Sequence, residues 1–124
     1  MINRQNLIET VKSGRTVVLQ LTNAEVVFRR KDLKPLNHYS VANLYKVIVK
    51  DPTFGTIFFS GFSQKLADIE FGDKVSLKVT VTGVGDPSDR YPEPILFAKP
   101  NARRGDSIMI DKQVMVAPDL TVNV

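Results

Sequence analysis

The sequence has no cysteine, a single histidine and no long apolar run. Without cysteine there are no disulfides, thiolate metal ligands or cysteine nucleophiles, and the chain suits a reducing compartment. The lone His38 lies between Asn37 and Tyr39. It lacks the cysteine or spaced carboxylate partner of a metal site and gives no basis for a nucleophilic triad. No apolar stretch nears the roughly 20 residues that span a bilayer. The polar start, Met1-Ile2-Asn3-Arg4-Gln5-Asn6, has no signal-peptide core. A soluble, cytoplasmic protein (in the host cytoplasm if viral) with no membrane partner is expected. Repeats and low-complexity tracts are missing as well.

What is present is an ordinary single domain. The 124 residues are too few for two separate cores, and 43% of them are apolar, enough to bury one. Seventeen basic residues against thirteen acidic ones leave a formal charge of +4, which favours a polyanionic partner mildly.

Periodicity divides the chain. Leu7, Ile8 and Val11 recur at helical spacing over Asn3–Ser13, with Asn3 as a cap and Gly14 as a stop. From Arg15 the period becomes two: Val17, Leu19 and Leu21 alternate with polar residues, and the run resumes at Glu25–Arg30. This is one long bent strand or two paired ones. Lys31–Ala42, with Pro35, Asn37 and Ser40, reads as a loop. Strands are expected at Asn43–Lys50 and Phe54–Gly61, joined by a tight turn at Asp51-Pro52-Thr53.

Ser63–Glu70 breaks the alternation. Leu66 and Ile69 are three apart and Ser63 is a capping residue, so a short helix is expected. Val75, Leu77, Val79 and Val81 then alternate with Ser76, Lys78, Thr80 and Thr82 in the clearest strand of the chain. Gly83–Pro94 reads as a long loop, Ile95–Lys99 as a strand, and Ser107–Ile110 with Lys112–Val116 as an added strand or hairpin. One domain over residues 1–116, its barrel core at about 15–100, is followed by an extended tail over 117–124.

Strand, loop, strand, turn, strand, short helix, strand, long loop, strand is the order of an OB barrel, with its ligands on strands 2 and 3 and the first and last loops. Phe71-Gly72-Asp73-Lys74-Val75-Ser76-Leu77-Lys78-Val79 and Ile95-Leu96-Phe97-Ala98-Lys99-Pro100 resemble the corresponding parts of OB-fold single-stranded DNA-binding proteins, particularly small, divergent bacteriophage ones. The expected fold is therefore all-β with short helices: a five-stranded OB-like barrel, an N-terminal helix and a C-terminal strand or hairpin. The resemblance implies a protein that coats exposed single-stranded DNA in phage replication or recombination with little sequence preference, RNA being its near neighbour. Many bacterial single-stranded DNA-binding proteins end in an acidic tail. Here the end is Ala117-Pro118-Asp119-Leu120-Thr121-Val122-Asn123-Val124, which suits self-association into a homo-oligomer instead.

Single strands are held by basic grooves and by aromatic rings on which bases stack. Candidates are Arg29, Arg30, Lys31 and Lys34 leading into the first loop, Tyr45, Lys46 and Lys50 on the second strand, and Phe54 and Phe58 on the third. Lys78 on the fourth strand, Arg90 and Tyr91 in the long loop, and Lys99, Arg103 and Arg104 after it complete the set. Tyr45 shares a face with Val47 and Val49 and is equally a core residue. Phe58 and Phe59 must face opposite ways. If Ile57 and Phe59 fill the core, Phe58 stands outside with Thr56 and Ser60; in the other register Phe59 does.

Other motifs fail on context. Gly83-Val84-Gly85 runs into Asp86-Pro87, with no helix to make a dinucleotide site. Arg104-Gly105-Asp106 reads as a plain turn, and Asp86, Asp89 and Glu93 as solvated loop acids rather than cation ligands. No cofactor, metal site or enzymatic activity is expected. The competing reading is a structural or assembly protein, a virion component or complex subunit, pairing through Gln113–Val116 and Leu120–Val124.

Overall fold

The computed structural model describes residues 4–103 and 105–112. Helix α1 (Arg4–Lys12) buries Leu7, Ile8 and Val11, the three residues at helical spacing. It ends at Gly14, whose φ of +95° a β-carbon would strain. Asn3 lies outside the described residues.

Strand β1 (Val17–Pro35) is a single strand of 19 residues, which resolves the alternative of two paired ones. Its bends have an identifiable cause. Leu21 pairs with Leu77 of strand β4 (Lys74–Gly85), and the next pair is Ala24 with Val75, so the register slips at Thr22-Asn23. Asn23 takes a φ of +51°, a conformation asparagine tolerates, and its N–H donates to Ser76 Oγ at 2.9 Å. The slip moves the inward parity by one, so Leu19 and Leu21 are followed inward by Ala24 and Val26. A second slip, between Val26 and Phe28, turns Phe28 outward.

The first half of β1 pairs with β4 and the second half with β2 (Val41–Asp51). Strand β3 (Gly55–Gly61) follows β2, and β5 (Ile95–Pro100) lies parallel to β3 and antiparallel to β4. The five strands therefore close into a barrel-like ring, β1-β2-β3-β5-β4-β1, as expected of an OB-like fold. A short strand β6 (Met109–Asp111) adds to β4 at Lys74–Ser76. Of the expected second half of that extension, at 112–116, only Lys112 is described, outside any strand; the remainder and the tail at 117–124 lie outside the described residues.

Both ends of the ring are closed. At the end where β2 turns into β3, α1 packs into the core and Arg4 donates to the carbonyls of Phe54 and Pro94. At the other end Leu66 and Ile69, fully buried, form the plug. Between the two lie Val47, Val49, Ile57, Phe59, Val75, Leu77, Val79, Val81 and Leu96, all fully buried. Alternation placed these side chains on one face of each strand, and ring closure makes that face the interior.

Three expected segment extents and the exposure of one residue are corrected. Lys31–Ala42 is not a loop: pairing continues to Pro35 opposite Val41, and only 36–40 form the turn, closed by Leu36 N–H on Ser40 O and by Asn37 Oδ1. The ladder with β2 overrides the weak strand propensity of Lys31–Lys34. The short helix expected within Ser63–Glu70 is present as a single 3₁₀ turn, Gln64–Leu66, capped by Ser63 as expected. Its three-residue spacing of Leu66 and Ile69 suits that tighter turn equally well. Gly83–Pro94 is shortened because β4 stays paired to β5 through Gly85. Thr56, expected outside with Phe58 and Ser60, is buried.

The β2–β3 turn depends on Asp51, whose Oδ1 accepts from Thr53 N at 2.8 Å and Phe54 N at 3.0 Å. Asp51 is itself buried, so removing its carboxylate orphans two backbone donors. Asp51→Ala is expected to lower stability by about 1–3 kcal/mol in a urea titration, with Asp51→Asn milder.

Candidate nucleic-acid interface

The ring fixes which outward residues become neighbours. Phe28 of β1 pairs with Ile48 of β2, Ile48 with Phe58 of β3, and Phe58 with Phe97 of β5. Paired residues stand side by side on one face. One apolar row therefore crosses four strands on the outside of the ring. The rings of Phe58 and Phe97 meet edge to face, with centroids 5.9 Å apart. Phe97 is 41% exposed, while Phe28, Ile48 and Phe58 are half-buried.

Two glycines of β4 make room for the outer end of this row. A β-carbon on Gly85 would lie 2.6 Å from Phe97 Cε2, and one on Gly83 would be in ordinary contact with the same side chain. The absence of side chains there lets the Phe97 ring lie back against β4. Gly83 and Gly85 thus have a packing role that their sequence context does not show.

Cations flank the row on both sides. On one side Arg30 pairs with Lys46 and Lys46 with Ser60, and Lys99 stands two residues beyond Phe97 on β5. Lys34 continues this side outward along the β1–β2 hairpin, which projects past the last β2–β3 pair, Tyr45 with Gly61. On the other side Lys50 pairs with Thr56, and both line a groove of about 330 Å³ with Arg90, Tyr91 and Glu93 of the loop before β5. Arg90 lies over the Tyr91 ring, 5.9 Å from its centroid. Lys99 and Arg103 share a further hollow of about 510 Å³ with Thr80 and Asn101.

Acids stand among the cations on both sides: Glu25, paired with Lys50, and Glu93 on the groove side, and Asp32 on the other. Asp32 accepts from Arg30 Nε at 2.7 Å and faces Lys46 Nζ at 3.0 Å. Hydrogen bonds from Lys46 and then Arg30 hold its carboxyl below the usual carboxylate range. A depressed pKa means that the charge triad persists as pH falls through that range and opens only below it.

Several expected residues lie elsewhere. Tyr45 is 3% exposed and belongs to the core, with Arg29 5.4 Å above its ring. Arg29 donates to the carbonyls of Ile69 and Ala67, tying β1 to the plug. Burial and these bonds withdraw both from the surface. Phe54 is half-buried against the core beside α1. Lys31 is exposed on the opposite side of the hairpin, and Lys78 faces a separate hollow on the β1–β4 wall with Gln20 and Ser107. Arg104 lies outside the described residues. Phe58, Lys46, Lys50, Arg30, Lys34, Lys99, Arg90 and Tyr91 are brought to one face or its margins.

Phe28, Ile48 and Phe97 were missed from the sequence. Phe97 lies between Leu96 and Ala98, both inward, so alternation alone marks it as outward. Phe28 is hidden by the bulge before it, which no local pattern announces. Among the described residues no group of three or more acidic or histidine side chains is placed to hold a metal ion. No helix among them is long and apolar enough to cross a membrane. No protein-family model, curated protein or solved structure matches this chain.

Proposed function

We propose that this face binds single-stranded nucleic acid, DNA in the first instance, with little dependence on sequence. The observation that supports the reading is the continuous row Phe28-Ile48-Phe58-Phe97 between two sets of cations. Bases stack on exposed rings whatever their identity, and phosphates follow the cations, so the arrangement suits a strand with its bases splayed out. A duplex hides the faces of its bases and gains only the electrostatic part. In this reading the protein coats exposed strands, as in phage replication or recombination, and carries out no chemistry on them.

Fluorescence anisotropy with a labelled thymine oligomer, a duplex and an RNA of equal length, across a salt series, tests it. Salt-sensitive binding that prefers single strands is expected; no binding at low salt would end the reading. The RNA arm decides which nucleic acid is held more tightly.

A second reading, a subunit of a larger assembly, draws on the projecting hairpin, where Leu33 and Val41 are 71% and 64% exposed. A regular oligomer formed without nucleic acid would favour it.

Gly85→Ala offers a finer test of the row. The new methyl group displaces the outer edge of the Phe97 ring, which is free to swing outward, so the fold is kept. Single-strand affinity is expected to fall about threefold to tenfold, a fraction of one stacking interaction, with little change in melting temperature.

A further inference from the structure

If the face does bind a single strand, Asp32 is an acid on it that ties up two of its cations at once, and its geometry gives a reason for its place there. Arg30 and Lys46 are directly paired across β1 and β2, which brings two like charges together on adjacent strands. Such a pair is unfavourable unless an anion lies between the heads. Asp32, two residues on from Arg30 and on the same outward face, supplies that anion. Its two oxygens are engaged separately, Oδ1 by Arg30 and Oδ2 by Lys46. The side chains of Arg30, Lys46 and Asp32 are 63%, 30% and 16% exposed, so the cations meet solvent while the carboxylate is tucked between them.

A phosphodiester presents the same elements, one negative charge shared by two terminal oxygens. We propose that the Asp32 carboxylate occupies the place of a backbone phosphate between Arg30 and Lys46, and that a bound strand displaces it there. The residue is then an internal competitor. It holds the two cations in a gripping arrangement when no strand is present, and it lowers affinity because each binding event must break a charge-assisted pair before making another. A protein that coats strands transiently gains faster release from such a device. The lowered carboxyl pKa agrees with two cations acting on this group.

This inference rests on the nucleic-acid reading, and the two can fail separately. The test is Asp32→Asn in the full chain, titrated with a labelled thymine oligomer across a salt series. Glu9→Gln, on the exposed side of α1, serves as a control carrying the same change in net charge. Asp32→Asn is expected to bind about fivefold more tightly or better at low salt, with the log–log salt slope steeper by about 0.7 for each cation released to a phosphate. Glu9→Gln should stay within about twofold of the parent, because the exposed Glu9 carboxylate accepts from Gln5 on its own helix and engages neither Arg30 nor Lys46. Adding Arg30→Ala and Lys46→Ala should abolish the gain, because there is then nothing for Asp32 to compete for.

Unchanged or weaker binding by Asp32→Asn, with the parent binding normally, overturns the competitor role and makes Asp32 a residue that positions Arg30 and Lys46. An equal gain in Glu9→Gln overturns it in favour of net charge. If neither the parent nor Asp32→Asn binds any oligonucleotide, the nucleic-acid reading falls and the inference falls with it.

Discussion

Replacing Phe58 and Phe97 together by alanine is expected to weaken single-strand binding by about 30-fold or more while leaving the domain folded. Each base stacked on an aromatic ring contributes about 1–3 kcal/mol, so two lost platforms remove about 2–6 kcal/mol. The cations remain, and duplex binding, which depends on them, should change far less. The cost to the fold is smaller because both rings stand outside the ring of strands. Their edge-to-face contact contributes about 0.5–1.5 kcal/mol beyond the area it covers. Against a total stability of about 5–15 kcal/mol that loss is tolerable. Anisotropy titrations beside thermal melts separate the two quantities. Unaltered affinity in a folded double variant would remove the aromatic row from the site and leave only an electrostatic surface.

Phe59→Ala should do the reverse. Phe59 adjoins Phe58 in the chain but points into the ring, where it is among the largest fully buried side chains. Truncating a buried phenylalanine removes its transfer free energy and leaves a cavity that a closed ring relaxes around only partly, at about 3–5 kcal/mol. A ring plugged at both ends, by α1 and by Leu66 with Ile69, has little freedom to collapse, so the upper part of that range is expected. In urea the midpoint should fall by about 2 M with an unchanged slope. Binding should weaken only as far as the folded fraction falls. A variant as stable as its parent would show that the β3 register is the other one, with Phe58 inside.

The opposite expectations for two adjacent residues show how far the sequence reaches. Alternation established that one of Phe58 and Phe59 is buried but left both registers open; the structure makes Ile57 and Phe59 the inward set. The same two-residue period marked Val75, Leu77, Val79 and Val81 as one inward face, and the helical period marked Leu7, Ile8 and Val11. These are local statements. The side chain's direction follows from backbone geometry within a few residues, so a few residues of sequence are enough to read it.

Tyr45 marks where local reading stops being decisive. Its face was known, since it alternates with Val47 and Val49, but whether that face was covered depended on closure of the ring and on Arg29 lying above it. The hairpin boundary behaves likewise. Lys31–Lys34 have little intrinsic preference for a strand and become one because β2 offers a complete set of backbone partners.

The all-β character, the strand order and most of the core were thus determined by the amino-acid sequence itself, through hydrophobic period and turn chemistry. The apolar row was not. Phe28, Ile48, Phe58 and Phe97 are far apart in the chain and become neighbours only through the β1–β2, β2–β3 and β3–β5 registers. The bulge between Val26 and Phe28 decides whether the first of them faces outward at all. Register is set by the best burial of every inward face at once, a property of the closed ring and not of any one strand. That is why basic and aromatic residues were visible in the sequence, whereas the face that gathers some of them and excludes Tyr45 and Arg29 was decided by tertiary structure alone.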